Sequence, residues 1–159
     1  AAELSELGGG SASAIVADLS SEDGARALAG AVGAQTGRLD VLVNNAGMAL
    51  RTPSDQITAA EIDELFAVNV RSALLTSAAA IPTMVAAGSG SSVNIRSISG
   101  LRGAPRRRAY AATAAALAGL TRDTCRHGEP TRTPQATIPA VAAPRARASI
   151  PTSPQGLAL

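Results

Sequence analysis

Tyr110, in "RRRAYAATAAALAGLTR", is the lone tyrosine of a chain with almost no aromatics, and it falls near the start of an alanine-rich helix. A phenol there could serve as an acid or base, giving or taking a proton. A phenol titrates near 10 in water, so a cation beside it would help it exchange protons at neutral pH. The natural place for that cation is one helical turn on, at i+4. That position holds Ala114. Arg106, Arg107 and Arg108 come just before the tyrosine, on the wrong side to serve.

The elements that must position these groups are legible as alternating strands and helices. "AAELSELGGG" reads as a helix end stopped by glycines, and "SAIVADLS" as a short buried strand closing on Asp18. "SSEDGARALAGAVGAQTG" has acids in its first turn and apolar residues at helical spacing, predicting a helix to about Gly37. "RLDVLVNNAG" is the clearest strand. Its nearly continuous apolar run predicts burial on both faces before it meets Asn44, Asn45, Ala46 and Gly47. Thr58 followed by Glu61 is a capping-box signature for a long helix reaching Gly88, with a kink or break expected near Pro82. A second strand, "SSVNIRSIS", a Gly/Pro/Arg loop and the Tyr110 helix complete an α/β pattern with a parallel sheet. After Arg122 the text turns rich in Pro, Ala and Arg without sustained periodicity, so residues 1–122 read as one domain and 123–159 as an irregular tail.

Composition narrows the function classes. The 159 residues suit about one domain, and a formal net charge of +2 gives no footprint for nucleic acid. All 14 basic residues are arginine, so no lysine can act anywhere in the chain. The lone Cys125 and lone His127 offer neither a disulfide framework nor metal-type spacing, and no metal site is expected; a reducing cytoplasm is the default setting. No uninterrupted apolar run reaches the roughly 18 residues of a membrane-spanning helix, so no membrane role is expected.

Each short motif has an ordinary reading by itself: a strand-to-loop turn for Asn44–Gly47, a solvent-facing helix residue for Asn69, a strand-end serine for Ser97. In order and at these separations, "LDVLVNNAG", "FAVNV", "SSVNIRSISG" and the tyrosine resemble the short-chain dehydrogenase/reductase family. The resemblance implies a Rossmann-type doubly wound parallel sheet, incomplete because the first strands and their glycine-rich turn would precede residue 1. It implies NAD or NADP as cofactor and a small-molecule alcohol or carbonyl substrate, in a homo-oligomer. It assigns Asn69, Ser97 and Tyr110 as catalytic residues. Asn44, Asn45, Ala46 and Gly47 would lie against the cofactor, and Asp18 would hydrogen-bond its adenine ring. The "GGGSAS" glycines follow a helix and precede a strand, the reverse of the order a phosphate-binding turn needs. The family's lysine, four residues after the tyrosine, is Ala114 here. Two functions follow as expectations: an NAD(P)-dependent oxidoreductase with impaired turnover, or a non-catalytic remnant that serves as an interaction subunit.

Overall fold

A computed structural model describes residues 11–103, 105–126 and 135–140. Helix α1 (Glu22–Thr36) starts at Ser21, whose Oγ accepts from the Gly24 N–H at 3.0 Å, and ends at Gly37 in the left-handed conformation. Strand β1 (Val41–Asn44) follows. Helix α2 (Ala59–Phe66), a π-helical turn (Ala67–Arg71) and helix α3 (Ser72–Ala86) then form one continuous helical stretch. Strand β2 (Ser91–Ser97), the short helix α4 (Ser99–Arg102), helix α5 (Arg108–Arg126) and strand β3 (Gln135–Ala140) complete the order.

The three strands form one parallel sheet in the order β1-β2-β3, with Asn44 opposite Asn94 and Ser97 opposite Ala140. Two successive strand–helix–strand units therefore build the sheet, the α/β arrangement expected from the sequence. Helix α3 packs against β1, β2 and α1, while α5 packs against β2, β3 and α4. The core between these layers is made of small residues, Ala25, Ala73, Ala80 and Ala118, punctuated by Leu65, Met84 and Leu117.

Four local expectations are corrected. The "SAIVADLS" segment forms no strand, and Val16 is 76% exposed. A strand exists only by pairing, and no described strand lies beside this run. Strand β1 is not buried on both faces: Val41 and Val43 stay about half exposed, at 54% and 53%. Helix α3 covers the face that carries Asn44, and no described element covers the other. The long helix does not break at Pro82 but changes at Ala67–Arg71. Pro82 lies on the exposed side, where water can take the carbonyl freed by its missing N–H. Finally, α5 runs on to Arg126, and Gln135–Ala140 pairs with β2, so the Pro-rich tail contributes a strand. Its Thr137 and Ile138 favour extended backbone, and β3 has a described neighbour on one side only, where a proline is tolerated. Cys125 and His127 carry no described side chain.

The joined helix Ala59–Ala86 is long and apolar enough, by length and composition, to cross a membrane. The sequence run alone is interrupted by charges; the high average emerges once three segments join. In this fold the stretch packs on the sheet through α3.

The helix start at Thr58 is a complete capping box: Thr58 Oγ1 accepts from the Glu61 N–H at 3.2 Å, and the Glu61 carboxylate accepts from the Thr58 N–H at 2.9 Å. Bonds from the Thr58 backbone, from the Thr52 hydroxyl and from the Thr58 hydroxyl hold the Glu61 carboxyl below the usual glutamate range. Thr58→Ala should lower stability by about 1 kcal/mol in urea melts at neutral pH. A depressed folded-state pKa contributes stability above the unfolded value and loses it as pH falls through the folded one. The gap between wild type and variant should therefore narrow on acidification below the ordinary glutamate range. At the α4–α5 contact, a Cβ on Gly100 would sit 2.8 Å from the Ala115 nitrogen and 2.9 Å from the Ala114 Cβ. Gly100→Ala must push α4 off α5, and a loss of about 1–3 kcal/mol is expected in the same melts.

Candidate active site

The C-terminal ends of parallel strands, where ligands collect in open α/β sheets, bring the expected residues together. Ser97 is the last residue of β2, the chain leaving β1 passes through Asn45 to Ala49, and Tyr110 stands in the first turn of α5. Asn69 sits within the π turn, whose extra residue re-aims side chains relative to a plain helix. A cavity of about 180 Å³ is lined by Asn45, Gly47, Asn69, Ser97, Tyr110 and Thr113, among others.

Asn69 is buried and its carboxamide is fully engaged. Its Oδ1 accepts from the Met48 N–H at 2.8 Å, and its Nδ2 donates to the Met48 carbonyl at 2.9 Å and to Thr113 Oγ1 at 3.0 Å. Thr113 Oγ1 in turn donates to the Tyr110 carbonyl at 2.8 Å. One chain of bonds thus ties the loop after β1, the π turn and the start of α5. Gly47 belongs to the same contact, since a Cβ there would lie 3.4 Å from Asn69 Oδ1. Ser97 Oγ accepts from the Ser99 N–H and donates to Ser99 Oγ, both at 3.1 Å, which seats it at the start of α4.

Two residues assigned to the cofactor stand elsewhere. Asn44 does not line this cavity. Its Nδ2 donates to Ser77 Oγ at 3.1 Å and Asn94 Oδ1 at 2.9 Å, and its Oδ1 accepts from Thr76 at 2.8 Å. Asn44 fastens β1 to α3 and β2. The Asp18 carboxylate is exposed and accepts from the Ser20 hydroxyl at 2.7 Å and the Ser20 N–H at 2.9 Å, bonds that hold its pKa below the usual aspartate range. The Arg71 guanidinium donates to the Ser20 carbonyl and so ties this turn to the π segment. Asp18 does not line the cavity around Tyr110. Asn45 and Ala46 border both this cavity and a larger groove of about 230 Å³ between α1, β1 and α3. That groove is walled by aliphatic residues such as Leu28, Val32 and Val41 and has no titratable side chain, so the polar cavity is where chemistry is possible.

Sequence reading passed over two members of the site. Thr113 is buried and bridges Asn69 to Tyr110; its signal was a hydroxyl three residues after the tyrosine. Arg96 lines the cavity beside Ser97, and its Nε and Nη1 are buried with no hydrogen-bond partner among the described residues. Among those residues no cluster of His, Cys, Asp or Glu could hold a metal ion. Amide and hydroxyl groups of Asn45, Asn69, Ser97, Tyr110 and Thr113, with the unpartnered donors of Arg96, are the kind of lining that fits a nicotinamide dinucleotide.

Comparison with known proteins gives this geometry a lineage. The family profile for short chain dehydrogenases matches residues 1–147. An oxidoreductase of Thermotoga maritima is 44% identical over 86 residues, covering 54% of this chain and 34% of that protein. The levodione reductase of Leifsonia aquatica is 37% identical, with 68% and 41% covered. The cyclopentanol dehydrogenase of a Comamonas species is 38% identical, with 72% and 46% covered. The chain thus spans less than half the length of these curated relatives. Among solved structures, a metagenomic short-chain oxidoreductase in complex with NADP superposes with a TM-score of 0.78 at 35% identity, over 89% of this chain and 65% of that one. A putative NAD(P) dependent gluconate 5-dehydrogenase from Beutenbergia cavernae with bound NADP gives 0.78 at 36%, over 86% and 55%. The chain belongs to the short-chain dehydrogenase family, and its parallel sheet with helices is the fold it shares with these solved structures.

Proposed function

We propose that this chain is an NAD(P)-dependent oxidoreductase site for a small alcohol or carbonyl compound. The observation that carries the reading is the convergence of Ser97, Tyr110 and the Asn69–Thr113 bridge on one cavity at the strand ends. The NADP held by two structural relatives, and the reductase and dehydrogenase names of the curated ones, support it. When bound, a nicotinamide dinucleotide supplies or accepts the hydride. The chain's own groups do the rest. Ser97 Oγ can release Ser99 and donate to the substrate oxygen as charge develops there. The Tyr110 hydroxyl gives or takes the proton at that oxygen, and Asn45 to Gly47 form the wall on the cofactor side. Asn69 touches none of these atoms directly. It positions the Met48 backbone and Thr113, and through them the two sides of the cavity.

A cytoplasmic setting and a homo-oligomer complete the proposal. Ile62, Phe66, Leu74 and Val85 are exposed on the α2–α3 stretch, an apolar surface suited to a second copy. Neither nucleic acid nor a membrane is assigned as a partner. The second reading, a non-catalytic interaction subunit, draws on Ala114, which leaves α5 without a cation one turn after Tyr110.

Titration of the purified chain with NADH and with NADPH, followed by reduced-nicotinamide fluorescence, separates the two. Saturable binding of either is the expected outcome; a folded chain that binds neither is the interaction subunit. Asn69→Ala strips partners from the Met48 N–H and carbonyl and from Thr113. It should destabilise the chain by about 1–3 kcal/mol in denaturant melts and weaken dinucleotide binding in the same titration.

A further inference from the structure

The buried part of Arg96 is the least comfortable group in the described structure. Its Nε and Nη1 are withdrawn from water and unpartnered, and no carboxylate lines the cavity it borders. Buried charges are ordinarily paired, and an orphaned buried donor calls for an explanation. Strand geometry gives its direction. Side chains two apart on a strand share a face, and Asn94 on that face donates to Thr121 Oγ1 of α5 at 2.9 Å. Arg96 therefore points to the α5 side as well. Two helical turns before Thr121, on the same stripe of α5, stands Ala114, 4% exposed and lining the same cavity. Arg96 and Ala114 thus border one cavity from its sheet side and its helix side.

We propose that Arg96 is the cation of this cavity, and that its Nε and Nη1 donate to acceptor oxygens of a bound nicotinamide dinucleotide in place of any side chain from position 114. The inference rests on the oxidoreductase reading above. A positive charge reaches the ligand from the sheet side because the helix side offers none. Its two free nitrogens point to separate acceptors, as the hydroxyl-rich ribose of a dinucleotide provides. Arg96 is thus a ligand-binding residue that leaves two buried donors unsatisfied in the protein alone.

The test pairs affinity with stability. Arg96→Met keeps the apolar stem and removes the charge. It should raise the Tm of the ligand-free chain, since two buried donors without partners are replaced by a side chain content to be buried. It should also weaken NADPH or NADH binding tenfold or more, the scale of a lost charged hydrogen bond. A purely structural arginine would give a lower Tm in the variant, and that result overturns the proposal. Arg96→Ser with Ala114→Lys moves the cation to the helix and should regain most of the lost affinity; a folded double variant that stays weak also overturns it. If wild type binds a dinucleotide and Arg96→Met binds it equally well, this inference fails and the oxidoreductase reading stands. If folded wild type binds neither dinucleotide, both fail together.

Discussion

The bidentate grip of Asn69 on the Met48 backbone, with its third bond to Thr113, is the constraint on which the site depends. One carboxamide satisfies an N–H and a carbonyl of Met48 and the hydroxyl of Thr113, from two segments distant from it in sequence. A regular helix turn presents its side chains at fixed spacing; the π turn at Ala67–Arg71 adds a residue per turn and lets Asn69 face inward while Leu65 and Ala73 stay in the core. Remove that turn and the loop after β1 loses its side-chain anchor, and α5 loses its hydrogen-bonded link to that loop. Ser97 and Tyr110 are then merely near one another.

A second polar ladder stiffens the layer beneath. Asn44, Asn94 and Thr121 run across β1, β2 and α5, and Thr76 and Ser77 attach the chain of bonds to α3. Polar groups this deep discriminate registers, because slipping β1 against β2 by one residue would bury the amides without partners. The sheet carries few large apolar side chains at these positions, so the amides decide alignment where shape alone would not. Asn44, which the family resemblance places against the cofactor, serves in the fold as a bolt between sheet and helix.

How much of this was legible in advance follows from how local each signal is. The capping box at Thr58 and Glu61, the stop at Gly37 and strands β1 and β2 depend on neighbours in sequence, and they stand where the sequence put them. The order of four short motifs, through their resemblance to a known family, carried the placement of Asn45, Gly47, Ser97 and Tyr110, which line one cavity. What failed was decided by distant partners. "SAIVADLS" has strand composition but no ladder to join, whereas "QATIPA" reads as broken by Pro139 yet finds β2 beside it. Burial of Val41 and Val43 likewise needs a cover that composition cannot supply. Thr113 and Arg96 escaped notice because a threonine in a helix and an arginine in a strand have meaning only once the cavity between them exists.

Arg96 and Ala114 illustrate why site residues are best judged in pairs. Position 114 by itself reads as a loss, a helix that has shed its cation. Position 96 by itself reads as a fault, a charge set in a strand with nothing to hold. Taken together the two are complementary: the helix side of the cavity offers a small apolar residue, and the sheet side borders it with an arginine whose Nε and Nη1 have no partner. Natural chains keep groups that cost stability chiefly where a ligand repays them. A half-buried arginine with two buried, idle donors, among amides and hydroxyls and without a carboxylate, is incomplete as a structural element. It is complete only with an oxygen-rich ligand in place.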